Sequence, residues 1–138
     1  MAFNEEPYID LVRRYLEMCQ TRQVEAAEAH LADDADIVMP WGRFRTLPQM
    51  FAAAERRFRW ARKQYDSWDV VQRSDGSVVV VVTGTLHGET LAGVPFQGVR
   101  FIDRYIVRDG RIALQQVWND LAESGVLELA PGHTAGSG

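Results

Sequence analysis

The sequence predicts an α+β fold in which N-terminal helices pack on the concave face of a curved, mainly antiparallel sheet. Residues 5–62 carry apolar side chains mostly at helical spacing, interrupted by one short strand. Residues 64–120 carry four runs rich in β-branched and aromatic residues, separated by turn sequences. Helices gathered early and a strand meander late are typical of helices that cover one face of a sheet. Such an arrangement encloses a cone whose mouth lies between the helices and the concave face.

The composition suits one globular domain. The 138 residues are 46% hydrophobic and 25% charged, which is ordinary for a chain that buries a substantial core. We expect a single domain over residues 1–129 and a flexible tail over residues 130–138, which are rich in Pro, Gly and Ser. The formal net charge of −4 and the sequence pI of about 5.3 argue against a nucleic-acid-binding protein.

Neither a membrane segment nor a secretion signal is predicted. No apolar run reaches the roughly 18 residues of a membrane span, and the N-terminal residues lack the basic and apolar regions of a signal peptide. We therefore expect a cytoplasmic protein that does not act at a membrane. The single cysteine, Cys19, rules out an intrachain disulfide and a thiolate metal cluster. Its place in a helical pattern predicts a small buried hydrophobe.

Two helices are predicted at the start of the chain. The first runs from about Asn4 to Thr21, because a capping residue, two acids and an early proline open it. Its apolar side consists of Tyr8, Leu11, Val12, Tyr15, Met18 and Cys19. The second begins near Thr21, carries His30 on its apolar side and ends at the two acids of residues 33–34.

A short strand and a third helix follow. The strand covers residues 35–41, and Pro40 indicates an edge or a bend. The third helix opens at the capping-box sequence of residues 46–49 and runs to about Arg62. The basic cluster of residues 56–63 is then interpreted as the solvated face of that helix.

The remaining runs predict an antiparallel meander. They cover residues 64–73, 77–87 and 96–107 and the stretch beyond a turn at 108–111. Asp-Gly sequences lie at the first and last connections, as is typical of tight hairpin turns.

A carboxyl group lies on the otherwise apolar face of the third run. Side chains alternate along a strand, which puts Asp103 on the same face as Phe101 and Tyr105. Ionising a carboxyl group there without a partner is costly, so burial should raise its pKa. Two interpretations stay open: a protonated acid that donates a hydrogen bond into a cavity, or an ion pair with an arginine across the sheet.

Three short segments carry a family resemblance. They are residues 14–17 (RYLE), residues 32–35 (ADDA) with Pro40 following, and residues 102–105 (IDRY). In that order they resemble the catalytic-tyrosine helix, the segment leading to the catalytic base and the second-donor strand of ketosteroid isomerases. The element order over roughly residues 5–122 also resembles the SnoaL-like families of the same NTF2-like superfamily. The resemblance implies an NTF2-like cone.

The resemblance also implies a chemistry. Tyr15 and Asp103 would be the two hydrogen-bond donors of an oxyanion hole, in a cofactor-free isomerase, cyclase or dehydratase acting on a small apolar carbonyl compound. The isomerase's general base falls on Met39, which cannot accept a proton. The aspartate of SnoaL-like cyclases falls on Val117. A non-catalytic ligand-binding or dimerisation module of the same fold therefore stays an alternative.

The general base is not identified by the resemblance. His87, late in the second strand run, and His30 are candidates because an imidazole titrates near neutral pH. The three histidines lack the spacing of a metal site, so we predict no metal, and we predict no cofactor.

The two faces of the predicted sheet have different roles. The cavity side provides an apolar ligand pocket lined by Ile37, Met39, Trp41, Phe58, Phe101, Tyr105, Val117 and Asn119. The outer side carries an apolar patch of Ile102, Ile106, Leu114 and Trp118, interrupted by arginines. Because a partner should cover such a patch, we predict a homodimer.

Overall fold

The computed structural model describes residues 2–130 of the chain. Its helices and strands are, in order, α1 (Glu6–Gln20), α2 (Val24–Glu28), β1 (Leu31–Met39), β2 (Gly42–Phe44), α3 (Leu47–Ala54), β3 (Phe58–Gln72), β4 (Val78–Thr90), β5 (Pro95–Arg108) and β6 (Arg111–Asn119). A 3₁₀ turn, Val126–Glu128, follows the last strand. The predicted α+β class is confirmed, with β2 as an additional short strand. Apart from Ala130, the predicted flexible tail lies outside the described residues.

The strands form one curved sheet with helices against its concave face. Within residues 2–130 the sheet has six strands in the order β2-β1-β6-β5-β4-β3. Neighbouring strands run antiparallel except β1 and β6, which are parallel. α1 packs against β3 and β4, and α3 packs against β2. Among the described residues, no helix combines the length and the apolar character that a membrane crossing needs.

The second helix is shorter than its spacing predicts. α2 ends at Glu28, and β1 begins at Leu31, although the pattern predicts a helix to residues 33–34. β1 pairs with β6, and the register shifts between Leu31 and Asp36, so the two acids lie exposed on an irregular part of the strand. Pairing with a strand that is distant in the sequence outweighs the local helical pattern.

The third helix is also shorter than predicted, although its start is correct. The Thr46 hydroxyl accepts a hydrogen bond from the Gln49 N–H at 3.3 Å. α3 ends at Ala54, and Phe58 and Ala61 belong to β3, which pairs with β4. A register shift after Phe58 lets these two residues, three apart, face the same cavity. The bulge thus places two strand residues that are three apart on one face, which is also the spacing expected of a helix.

The alternation predicted for the third strand run is confirmed in β5. Asp103 is buried together with the other residues on its face, Val99, Phe101, Tyr105 and Val107. The hairpin turn into β6 places Asp109 and Gly110 at φ values of 52° and 75°, the left-handed region that a two-residue hairpin turn of this kind requires. The period of the strand therefore puts a carboxyl group in the core.

Candidate functional site

A cavity lies between the helices and the concave face of the sheet. Its volume is about 100 Å³, and its walls come from α1, α3, β1, β3, β4 and β6. Of the residues predicted to line a pocket, five line this cavity: Met39, Trp41, Phe58, Val117 and Asn119. The other three are buried in the core rather than in the walls: Ile37, Phe101 and Tyr105.

Few polar groups reach the cavity. The polar wall residues are Cys19, Gln20, Arg22, Lys63, Gln115 and Asn119. Among the described wall residues there is no carboxylate and no imidazole. Burial raises the pKa of the Cys19 thiol to about 11, so the thiol stays protonated at neutral pH. Within residues 2–130, no group of three or more His, Cys, Asp or Glu side chains could hold a metal ion. The described walls of the cavity are therefore mainly apolar.

The main polar feature is an ion pair between Lys63 and Asp103. The Lys63 ammonium donates a hydrogen bond to Asp103 Oδ2, and the two side chains are 14% and 0% exposed. The Tyr105 hydroxyl donates to the same oxygen at 3.0 Å. The cation is thus a lysine rather than the arginine considered from the sequence. Burial raises the pKa of the Asp103 carboxyl, and the neighbouring Lys63 charge limits that rise.

A glycine lies on the strand between the two members of this ion pair. β4 separates β3 from β5, and Gly84 lies opposite Phe101. A Cβ at residue 84 would lie 1.9 Å from the Gln64 carbonyl oxygen and 2.9 Å from the Phe101 ring, so only glycine fits. The Lys63 Nζ lies 4.9 Å from the centre of the Phe101 ring. Phe101 thus packs directly over the backbone at residue 84, and the Lys63 ammonium lies near its ring.

The ion pair is the end of a buried hydrogen-bonded chain. The Tyr15 hydroxyl donates to Gln115 Oε1 at 2.6 Å, and Gln115 Nε2 donates a longer bond, 3.5 Å, to the Tyr105 hydroxyl. Tyr105 then donates to Asp103, which contacts Lys63. Burial raises the pKa values of both tyrosines. They therefore stay protonated donors at neutral pH.

Tyr15 and Asp103 are brought into one network, but neither is a cavity wall residue. Both are fully buried, and the network members that reach the walls are Gln115 and Lys63. The second oxygen of Asp103, Oδ1, has no hydrogen-bond partner in the described part of the chain. The side chains of Tyr15 and Asp103 therefore contact other protein groups, and only their partners Gln115 and Lys63 reach the cavity.

Lys63 and Gln115 are the site residues that sequence reasoning misses. The basic cluster of residues 56–63 predicts a solvated helix face, whereas β3 leaves Arg62 exposed and turns Lys63 towards the cavity. In a strand, Lys63 lies on the same face as Tyr65, two residues further on, and this pattern would have predicted that Lys63 faces the cavity side. Gln115 lies on the predicted inner face of the last strand, but its type alone assigns it no role.

The predicted base, His87, lies on the other face of the sheet. Its ring packs edge-on against Trp60, with centroids 5.8 Å apart. Its neighbour Leu86 is the cavity wall residue of β4, and alternate side chains point to opposite faces. His87 pairs with the exposed Arg62 and is not a cavity wall residue, so it lies on the face opposite the buried ion pair, and its assignment as a base stays a prediction of the sequence. His30 lies between α2 and β1, outside the cavity walls.

Comparison with protein families gives one match. A family model for the SnoaL-like domain matches residues 12–115, which is most of the described chain. Comparison with curated proteins gives no match.

Comparison with solved structures identifies several similar folds. TerC, crystallised with polyporic acid, is 18% identical, with a TM-score of 0.74 over 89% of this chain and 99% of that one. An NTF2-like protein of unknown function from Burkholderia pseudomallei is 18% identical, with a TM-score of 0.72 over 89% and 98%. A putative polyketide cyclase from Pseudomonas putida is 22% identical, with a TM-score of 0.60 over 87% and 96%. These identities establish the fold alone, and the predicted NTF2-like cone is confirmed.

Proposed function

Since the chain belongs to the SnoaL-like domain family, we propose that it catalyses proton transfer on a small apolar carbonyl compound, as a cofactor-free isomerase, cyclase or dehydratase. Its structural neighbours include a putative polyketide cyclase and a protein crystallised with polyporic acid. The observation that carries the proposal is the Lys63–Asp103 pair at the wall of a largely apolar cavity. A desolvated titratable pair in a cavity is typical of catalytic sites.

The substrate's carbonyl oxygen binds to side-chain amides. Asn119 Oδ1 accepts a hydrogen bond from the Leu121 N–H at 3.1 Å, which leaves the Asn119 NH₂ group for the ligand. Gln115 is oriented by Tyr15 through its Oε1, and both amides belong to the cavity walls. Oriented donors in a site that excludes water stabilise negative charge on the oxygen. Tyr15 thus acts on the oxyanion through Gln115.

Lys63 transfers the proton. The Lys63 ammonium donates to Asp103 Oδ2, and transfer of that proton to the carboxylate leaves an amine at the cavity wall. The amine takes a proton from the carbon next to the carbonyl group, and the C–H electron pair forms an enolate. Returning the proton to another carbon isomerises the compound. Attack by the enolate carbon on a second carbonyl instead closes a ring, and the alkoxide that this attack forms takes the proton back from Lys63. Where the substrate carries a β-hydroxyl group, the Lys63 ammonium protonates that group, the enolate electrons form a carbon–carbon double bond, and the carbon–oxygen bond breaks to release water.

The cavity volume restricts the substrate. Clefts for drug-sized ligands enclose roughly 300–1,000 Å³, and this cavity encloses about 100 Å³. A single ring bearing a carbonyl group suits that volume better than a polycyclic compound. Acetophenone is therefore a suitable probe.

Deuterium exchange tests the proposal without knowledge of the natural substrate. In D₂O, a catalyst of this kind exchanges the methyl protons of acetophenone, and ¹H NMR follows the loss of their signal. We expect the parent protein to accelerate this exchange and Lys63→Met to lose about 100-fold of the acceleration, the scale of one general acid–base group. Arg62→Met, at the adjacent exposed position, is the matched control and should keep the parent rate.

A second measurement separates catalysis from binding. Saturation-transfer NMR detects bound acetophenone whether or not its protons exchange. Binding without exchange contradicts catalysis and supports the alternative, a non-catalytic ligand-binding module of the same fold. Met39 at the position of the isomerase base favours that alternative, as does a described cavity wall without carboxylate or imidazole. If acetophenone neither binds nor exchanges its protons, the result supports a dimerisation module.

We further propose that the outer face of the sheet forms a homodimer. Trp118 and Ile102 are 50% and 41% exposed there, and Ile106 and Leu114 are half-buried beside them. A second copy that presents the same patch about a two-fold axis would remove these side chains from water. The cytoplasmic location stays a prediction of the sequence.

A further inference from the structure

The end of α1 places an arginine where the backbone favours glycine. The Gln23 N–H donates to the Met18 carbonyl at 2.9 Å, and the Arg22 N–H donates to the Cys19 carbonyl at 3.2 Å. These two bonds form a Schellman motif, in which the residue after the cap is left-handed and is most often glycine. Arg22 has a φ of 58°, a conformation that strains any residue with a Cβ. The backbone alone therefore gives no reason for an arginine.

The Arg22 side chain is held at the cavity. Its guanidinium carbon lies 4.1 Å from the centre of the Phe51 ring, and its Nη1 donates to the Cys19 carbonyl at 2.9 Å. Arg22, Phe51 and Cys19 are all cavity wall residues. One hydrogen bond and one ring contact use only part of a group that has five N–H donors. Arg22 is an exposed residue, so its remaining donors are open to water and to a ligand at this wall.

The charge balance of the cavity is uneven. Its walls contain two cations, Lys63 and Arg22, and no carboxylate among the described residues. The charge of Lys63 is balanced by Asp103, which is buried and does not line the cavity. Within residues 2–130, no acid lies within ion-pair distance of Arg22. The indole N–H of Trp41, another wall residue, also lacks a hydrogen-bond partner in the same part of the chain.

We infer that the carbonyl substrate carries a carboxylate, which Arg22 binds while the ring enters the cavity. A guanidinium matches the two oxygens of a carboxylate with two parallel hydrogen bonds. The inference rests on the proposed function, because it assigns the other end of the same substrate. The ligand class is therefore a small aromatic or cyclic oxo acid.

Glycine at residue 22 gives a variant that should fold well. Arg22→Gly removes the guanidinium and relieves the left-handed strain, so its melting temperature should not fall. If Arg22 served only to stabilise the helix end, through its positive charge near the C-terminal carbonyls, the same variant would lose stability and leave ligand preference unchanged. Stability and ligand preference therefore distinguish the two roles.

Calorimetry with matched ligands tests the inference. The probes are 4-acetylbenzoate, its neutral methyl ester and acetophenone. The parent should bind the acid about tenfold more tightly than the ester, as expected for a hydrogen-bonded charge pair. Arg22→Gly should bind the two alike, and Arg22→Lys should keep part of the preference. Asp109→Gly relieves the same backbone strain at a distant turn and should behave as the parent.

The outcomes separate this inference from the function on which it rests. Equal binding of acid and ester by the parent, or an undiminished preference in Arg22→Gly, overturns the role of Arg22 while leaving carbonyl binding in place. Failure of all three probes to bind the parent overturns the carbonyl-binding function itself, and the inference with it.

Discussion

Two ion pairs, each with one member on β5, differ in burial and in surroundings. Lys63–Asp103 lies on the inner face of β5, with side chains 14% and 0% exposed. Arg100–Asp120 lies on the outer face, joined at 2.5 Å, with side chains 84% and 40% exposed. Water solvates the outer charges whether or not they pair, whereas the inner charges depend on each other. Distance alone therefore does not tell which pair organises the protein.

The surroundings of the pairs differ in the same way. The inner pair continues into a chain of buried hydroxyl and amide groups ending at Tyr15. The outer pair lies beside exposed apolar side chains, including Trp118 and Ile102. A buried polar group needs a partner from its own chain, whereas an exposed apolar patch needs a partner from outside. The polar groups of this inner network find their partners within one chain, apart from Asp103 Oδ1 in the described residues, and the outer face carries the patch through which we propose a homodimer.

Removing one member of each pair should give the largest difference. Asp103→Ala leaves the Lys63 ammonium buried without its counter-ion and should lower the free energy of unfolding by about 3–5 kcal/mol. Asp120→Ala breaks the exposed pair and should cost about 0–1 kcal/mol. Urea denaturation of both variants measures the difference. Equal losses would mean that the inner pair is as well solvated as the outer one.

A charge on the outer patch should have the next largest effect. Trp118→Glu should weaken self-association by about 2–4 kcal/mol, the scale of an interface hot spot, because it buries a carboxylate against the partner's apolar patch. Leu91→Glu, at a residue 49% exposed in the turn after β4, should leave association unchanged. Sedimentation across a range of concentrations measures both. A Trp118→Glu protein as dimeric as the parent would place the interface elsewhere.

Loss of one hydroxyl group from the buried hydrogen-bonded network should have a smaller effect on stability. Tyr15→Phe leaves the buried Gln115 oxygen without its donor at 2.6 Å and should destabilise the fold by about 1–3 kcal/mol. Tyr8→Phe, on a half-buried tyrosine of the same helix stacked on Phe3, is the control and should change little. Thermal unfolding compares the two variants. Equal melting temperatures would mean that the Tyr15–Gln115 hydrogen bond does not stabilise the fold.

The smallest effect concerns pH. The pKa of Asp103 is raised by burial above the value of about 4 in an unfolded chain, so between these two values the folded state binds more protons. The stability that this group contributes should therefore fall as the pH rises from about 4 through the raised pKa. Carbon NMR of the Asp103 carboxyl gives the midpoint directly. Lys63→Met removes the charge that limits the rise and should move that midpoint higher, whereas a parent midpoint at or below about 4 would contradict the shift.

The fold was predictable where local patterns and distant contacts agree. β5 alternates as its residues indicate, and the capping sequence at Thr46 does begin a helix. Prediction fails where the two conflict. Phe58 and Ala61 continue a helical spacing, but β3 satisfies its backbone groups by pairing along the full length of β4, which a solvated helix end cannot match. The same holds for the candidate site: the spacing predicts Tyr15 and Asp103 on apolar faces, where both are buried, whereas Lys63 lies next to the segment that the spacing wrongly assigns to a helix.

The sequence by itself determined the α+β class, the tight turn at Asp109 and the burial of the Asp103 carboxyl. These depend on side-chain period and turn geometry, which neighbouring residues set. Only the tertiary structure decided which groups meet. Lys63 and Asp103 are 40 residues apart. They meet because β3 and β5 both pair with β4, each in a register that brings the two side chains together. A slip of one residue in either register would turn every side chain of that strand to the opposite face, and no local pattern encodes where the register shifts occur.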